Sequence, residues 1–345
     1  MLQTLTLPRF DDMHCHFRLE PLLSEILPHT AKYCGRAIAM PNTRPRAILN
    51  AEDVAWYRNE IENALQGIIP RPAFEPLMTI EIRDTTTPEI IEKTKEAGAL
   101  AGKVYPLGVT TNSDEGLRNF ESPEITKTFK KMEEAGMLLL LHGELDKEKT
   151  LLLKREETFL PILQSIAKKF PKLKIVLEHV SSKKGVEMVK NLGENVAATI
   201  TAHHLALTLN DVIGYGVRPH HACMPMPKDF EDQEALISAT TSGNKKFFLG
   251  SDSAPHAREK KECEKGAFGI FTAPVLPALL AQIFEEAGAL ARLEDFTSRF
   301  GAEFYGLPRN TQTITLEKTE WIVPKQYGNV VPFKAGESLA WKLTA

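Results

Sequence analysis

The stretch Phe10-Asp11-Asp12-Met13-His14-Cys15-His16-Phe17-Arg18 combines metal-binding residue types with a spacing that can use them. The apolar run just before it, Leu5-Thr6-Leu7-Pro8-Arg9-Phe10, reads as a strand. Side chains alternate along a strand, so His14 and His16 face one side and Cys15 the other, with Arg18 sharing the histidines' parity. Two neutral imidazoles aimed at one point can chelate a borderline metal such as zinc. A lone His-x-His is short enough to be accidental, and two histidines capping a core strand would explain it as well. Asn42, Lys103, His142, His179 and Asp252, however, each follow or end an apolar run of their own.

Lys103 is the unusual member of that set. An ammonium beside bound cations is repelled and costly to bury. Burial and positive neighbours favour a neutral amine able to add carbon dioxide, and the resulting carbamate is an anionic oxygen ligand that could bridge two zinc ions. A lysine paired with a core carboxylate such as Glu81 is the alternative, and the residues alone leave both open. Taken singly, Asn42 could be a turn residue, His142 and His179 satisfied core histidines, and Asp252 a helix cap. Together, four histidines and one aspartate at strand ends favour a metal site.

The elements that would position these residues alternate. Strands are expected at the first run and at 36–40, 75–82, 99–105, 136–144, 173–179, 196–201 and 246–252. Helical periodicity or capping signals mark 19–33, 51–65, 88–97 (with Thr87 as N-cap), 123–135, 156–170, 183–192 and 231–242. Eight strands alternating with helices imply a (β/α)8 TIM-type barrel, whose strand ends meet at one C-terminal face. Residues 1–305 are expected to form this barrel and 306–345 a small C-terminal β extension packed on it, a single domain overall.

The chain has 345 residues, 43% hydrophobic and 25% charged, as expected of a globular protein that buries a real core. A net charge of -3 gives no global bias towards nucleic acid or anionic membrane, and pairs such as Lys260-Lys261 read as solvated surface. Cys15, Cys34, Cys223 and Cys263 form no Cys-x-x-Cys pair and read as reduced thiols. No secretory signal is evident, and Gly269, Thr272, Pro274, Pro277 and Gln282 interrupt the longest apolar stretch, 267–284, so a cytoplasmic protein without a membrane span is expected.

Several phrases recur together in the order seen in a known family: Asp12-Met13-His14-Cys15-His16-Phe17-Arg18, Met40-Pro41-Asn42-Thr43, Gly102-Lys103-Val104-Tyr105-Pro106, Thr110-Thr111-Asn112-Ser113, Leu141-His142-Gly143-Glu144, Leu177-Glu178-His179, Val217-Arg218-Pro219-His220 and Gly250-Ser251-Asp252-Ser253-Ala254-Pro255-His256. The chain resembles the dihydroorotases of the amidohydrolase superfamily, most closely their compact bacterial type, over nearly its whole length. The resemblance implies that His14, His16 and Asp252 hold the more buried of two zinc ions, that His142 and His179 hold the second, and that N6-carboxylated Lys103 bridges them. It implies that Arg18, Asn42 and His256 bind the substrate carboxylate, roles that suit a guanidinium fork and neutral or cationic donors. His16 and His142 would border the substrate as well, backbone groups near Met224 and Phe268 would contact the pyrimidine ring, and Thr110 and Thr111 would lie on a flexible loop that closes over it. His203, His204, His220 and His221 receive no role, a structural one suiting the first two.

The activity so implied is the reversible interconversion of dihydroorotate and N-carbamoyl-L-aspartate in pyrimidine biosynthesis, carried out by a homodimer. A hydroxide shared by two zinc ions would attack the ring amide carbon, and Asp252 would take its proton and deliver it to the departing nitrogen. Another cyclic amidase, such as a hydantoinase or allantoinase, would share the metal core but has no need of the carboxylate-binding set. A metal-free barrel acting as an assembly partner would be expected to lack several of these ligands. A nuclease would be expected to show a basic groove.

Overall fold

The computed structural model describes residues 3–146 and 149–344. After β1 (Thr4–Pro8), eight strands pair in parallel and in chain order: β2 (Phe10–Cys15), β3 (Cys34–Ala39), β4 (Glu75–Ile82), β5 (Ala99–Val104), β6 (Leu138–His142), β7 (Ile175–Glu178), β8 (Val196–Ile200) and β9 (Phe247–Leu249). The ring closes where the Asp252 N–H donates to His14 O at 2.9 Å and the His16 N–H to Ser253 O at 3.0 Å. This is the expected TIM-type barrel. Its strands are almost wholly buried, which is why β6 reads Leu-Leu-Leu-Leu-His instead of alternating.

The intervening helices begin where local chemistry starts them. Thr87 and Ser122 accept the N–H of Ile90 and Ile125, each followed by a proline at the first helical position, where its missing N–H costs nothing. Asn50 and Ser182 cap their helices in the same way. No helix among the described residues is long and apolar enough to cross a membrane.

The first apolar run is not a barrel strand, contrary to the sequence reading. β1 lies antiparallel to β10 (Thr313–Glu317), which also pairs β13 (Lys342–Leu343), while β11 (Trp321–Ile322) pairs β12 (Ser338–Leu339). Leu5 and Leu7 face Leu316 and Ile314 across that small sheet. The chain crosses into the barrel at Arg9, whose N–H donates to Gln312 O and whose guanidinium reaches the carbonyls of Ala31 and Cys34. The barrel's first strand therefore starts at Phe10 and carries His14 directly. Beyond β8, residues 202–228 hold two short helices, Ala202–Ala206 and Leu209–Ile213, and a 3-10 turn at Pro219–His221.

Candidate active site

Buried hydrogen bonds hold the C-terminal ends of β2, β7 and β9 in place. Asp12, whose carboxyl burial raises to about 6, accepts the Ser251 N–H at 2.8 Å and the Ser251 hydroxyl at 2.5 Å, tying β2 to the segment before Asp252. A Cβ on Gly250 would come within 3.0 Å of His14 Cβ and 2.7 Å of Thr199 Cβ, so the close approach of that segment requires glycine. The His179 N–H donates to Thr199 Oγ1 at 2.7 Å. Buried Glu156 accepts from the N–H and hydroxyl of Ser181, fixing the turn beyond His179. His179, Asp252 and Arg18 have φ of 42°, 44° and 59°, left-handed backbone that few non-glycine residues adopt.

These constraints bring two sets of ligand atoms together. His14 Nε2, His16 Nε2 and Asp252 Oδ1 are mutually separated by 3.2, 3.3 and 3.1 Å. Beside them, His142 Nδ1 and His179 Nε2 are 3.1 Å apart, and the His14 and His179 ring centroids are 5.1 Å apart. Tetrahedral ligands at zinc–nitrogen distances stand about 3.3 Å from one another, so both sets fit a metal ion. Two outer nitrogens are engaged: His14 Nδ1–H donates to Glu178 and His142 Nε2–H to Glu144 at 2.9 Å, which turns their inner nitrogens towards the site, while the buried Nδ1 of His179 has no partner. Burial drives His142 and His179 below the ordinary histidine range, and His16 to about 3, so all three imidazoles are neutral. Burial would raise Asp252, but the adjoining His14 and His16 rings hold it well below the usual carboxylate range, and the Glu178 carboxylate raises His14 against the effect of burial.

Lys103 is fully buried beside Glu178 and Tyr105, its Nζ without a hydrogen-bond partner and lowered to about 8 by burial. The alternative pairing with Glu81 does not occur. Glu81 accepts from Arg83 at 2.7 Å, and the carboxylate near Lys103 is Glu178, 3.9 Å away. A buried amine with no hydrogen bond beside five ligand residues suits a lysine that carries an anionic group.

A narrow cleft of about 20 Å³ opens onto these atoms, lined also by Arg18, Asn42, Tyr105, Thr110, Thr111, Met224, Phe268 and Gly269. A larger hollow of about 460 Å³, bordered by Leu205, Ile237, Leu279 and Lys334, contains no such cluster. Arg18 donates through Nε to Pro255 O, and its Nη2 lies 3.1 Å from His256 Nε2. His256 Nε2 is also 2.9 Å from Phe268 O, to which it donates in its Nε2–H tautomer. Asn42 donates to Thr111 O at 3.1 Å while its own Oδ1 is buried and unpaired. The Thr111 hydroxyl donates to Phe268 O at 3.3 Å, so the 110–113 loop reaches across the cleft.

Every residue given a site role from the sequence thus lies in or directly behind this cleft. Glu178, Glu144 and Tyr105 were missed as functional. For Glu178 a signal existed, since it is the lone acidic residue closing the apolar run Ile175-Val176-Leu177. His203, His204 and Cys223 form a second buried cluster with ligand-type atoms within 4.8 Å of one another. Both His204 nitrogens are already bonded, to Thr201 Oγ1 and Pro225 O, as in a structural histidine. His220 pairs with Glu262, and His221 with Asp211 O.

No family model matches the chain. It is 47% identical over 348 residues to the dihydroorotase of Shewanella denitrificans, covering 99% of both chains. The crystal structure of a Campylobacter jejuni dihydroorotase superposes with a TM-score of 0.91 at 36% identity, over 100% of this chain and 98% of that one. A Saccharomyces cerevisiae dihydroorotase in complex with 5-fluoroorotic acid superposes with a TM-score of 0.90 at 33% identity, over 99% and 98%.

Proposed function

The chain belongs to the dihydroorotase family, hydrolases of cyclic amides in pyrimidine biosynthesis, and from that membership we propose how its own residues divide the work. Two zinc ions would be held by His14, His16 and Asp252 on one side and by His142 and His179 on the other, with N6-carboxylated Lys103 between them. Bound there, the metals would acidify a water and polarise the ring amide carbonyl of dihydroorotate. The Asp252 carboxylate would take up the proton of that water and return it to the departing ring nitrogen. In the reverse direction the same carboxylate would accept a proton as carbamoyl aspartate closes.

Arg18, Asn42 and His256 would hold the substrate carboxylate, with His16 and His142 bordering the ring and the backbone at Met224 and Phe268 contacting it. Thr110 and Thr111, on a loop free to open, would exclude water once substrate is bound. Residues 1–305 would be the catalytic barrel and 306–345 an extension of the same domain. We further assign the protein to the cytoplasm, a reading its four free cysteines support. A homodimer is proposed as well: Ile213, Tyr215 and Val217 form an exposed apolar tip of the kind a second copy covers, and light scattering would test it.

One observation carries the metal reading, the 3.1–3.3 Å spacing of His14, His16 and Asp252 ligand atoms beside a Lys103 amine that makes no hydrogen bond. The test is hydrolysis of dihydroorotate before and after chelation, with zinc returned in the presence or absence of bicarbonate. Activity lost on chelation and restored best by zinc with bicarbonate is expected. Activity confined to another cyclic amide would reassign the substrate, and zinc-loaded protein inert on all of them would overturn the reading.

A further inference from the structure

Lys261, read from sequence as solvated surface, is 3% exposed. It ends the short helix Arg258–Lys261 and points inward. Its Nζ donates to Gly269 O at 2.6 Å and to Ala222 O at 3.1 Å, and the Gly269 N–H also donates to Ala222 O at 2.9 Å. One ammonium therefore joins two backbone segments that wall the cleft, the one leading to Met224 and the one containing Phe268 and Gly269. Gly269 has little room to move: its φ is 140°, and a Cβ there would lie 2.3 Å from Ala254 O.

The charge on this clamp is unbalanced. Among the described residues no carboxylate lies within 4.0 Å of Lys261, Arg18 or His256 at this end of the cleft. Burial pushes Lys261 down to about 8, and the Arg18 charge adds to that push. Burying an ammonium without a counterion is expensive, and a neutral donor could satisfy the same carbonyls. A site that keeps a buried and a half-buried cation with no carboxylate in contact, Asp252 acting on Arg18 only at longer range, is suited to receive an anion.

We propose that Lys261 is a specificity-determining residue for the carboxylate of the substrate, adding positive charge behind Arg18 and His256. The inference rests on the dihydroorotate reading given above. It is tested in metal-loaded protein by comparing competitive inhibition by orotate, an anion, with that by neutral uracil, alongside kcat and KM for dihydroorotate. In Lys261→Met, the inhibition constant for orotate and the KM should rise about tenfold or more, with the uracil constant and kcat within about threefold of the parent. Lys261→Gln, which keeps a donor for the two carbonyls, should lose orotate preference to a similar degree, and remains informative if the Met variant does not fold. Lys261→Arg should retain the preference. Equal losses for orotate and uracil would reduce Lys261 to a prop for the wall, and unchanged orotate binding in Lys261→Gln would remove its charge from recognition; either overturns the proposal. Failure of the unaltered protein to hydrolyse dihydroorotate would count against the functional reading instead.

Discussion

Asp252 has left-handed backbone, two histidine neighbours and a carboxylate that remains ionised, and the proposed reading has this one side chain both bind metal and move a proton. Asparagine tolerates left-handed backbone and keeps one oxygen, so Asp252→Asn should fold and retain some metal. Its turnover should fall by about 10²–10⁴-fold, the usual share of a general acid–base group. Steady-state kinetics on the zinc-loaded variant would check this, and near-parental turnover would remove Asp252 as the proton carrier. Glu178 acts one step further out, holding His14 in the tautomer that presents Nε2. Glu178→Gln should weaken metal retention by about 10–100-fold, read as competition with a chromogenic chelator. Retention equal to the parent would show that packing alone orients His14.

At the scale of the elements, the helix Leu22–Ala31 meets the C-terminal segment through His29, whose ring packs against Phe271 and Tyr327 at centroid distances of 5.5 and 4.3 Å. Burial lowers His29 from 6.5 to about 4. A base lowered in the fold is neutral there but protonated in the unfolded chain between those two values. The stability contributed by the neutral ring is complete above pH 6.5 and is lost as pH falls towards 4. At about pH 5 the loss is on the order of 2 kcal/mol. His29→Phe should therefore lose less stability than the parent between about pH 7 and pH 5, measured by denaturant melts at both. Parallel losses in the two proteins would show that His29 does not titrate on unfolding.

For the whole molecule, the two ends of the chain form one structure: β1 pairs with β10, and Trp341, fully buried, donates from Nε1 to Glu285 at 3.1 Å on the helix Leu276–Glu286. Trp341→Ala should cost about 3–5 kcal/mol, as large-to-small changes in a core do. The folded fraction should keep its kcat, because the tail does not line the cleft. A fall in kcat at saturating substrate and low temperature would instead tie the tail to the site. Metal binding should add stability by mass action, so chelation should lower the melting temperature of the parent.

The sequence by itself determined the barrel and the inward-facing groups of its site. Both depend on local rules: alternation places His14 and His16 on one face, and buried parallel strands must be apolar runs, so a polar residue ending one is conspicuous. His142, His179, Asp252 and Lys103 were legible for that reason. Only the tertiary structure decided which groups face each other across the ring. Glu178 and Lys103 are brought together from β7 and β5, so the pairing of Lys103 with Glu81 could not be dismissed beforehand. The same limit misassigned Leu5 and Leu7, since an apolar residue requires a buried face but does not say whether the barrel or a sheet made with β10 supplies it. Lys261 looked like surface because a charged residue in a short polar helix usually is. Its burial depends on carbonyls 39 and 8 residues away, a contact that exists only once the loops at Ala222 and Gly269 have met.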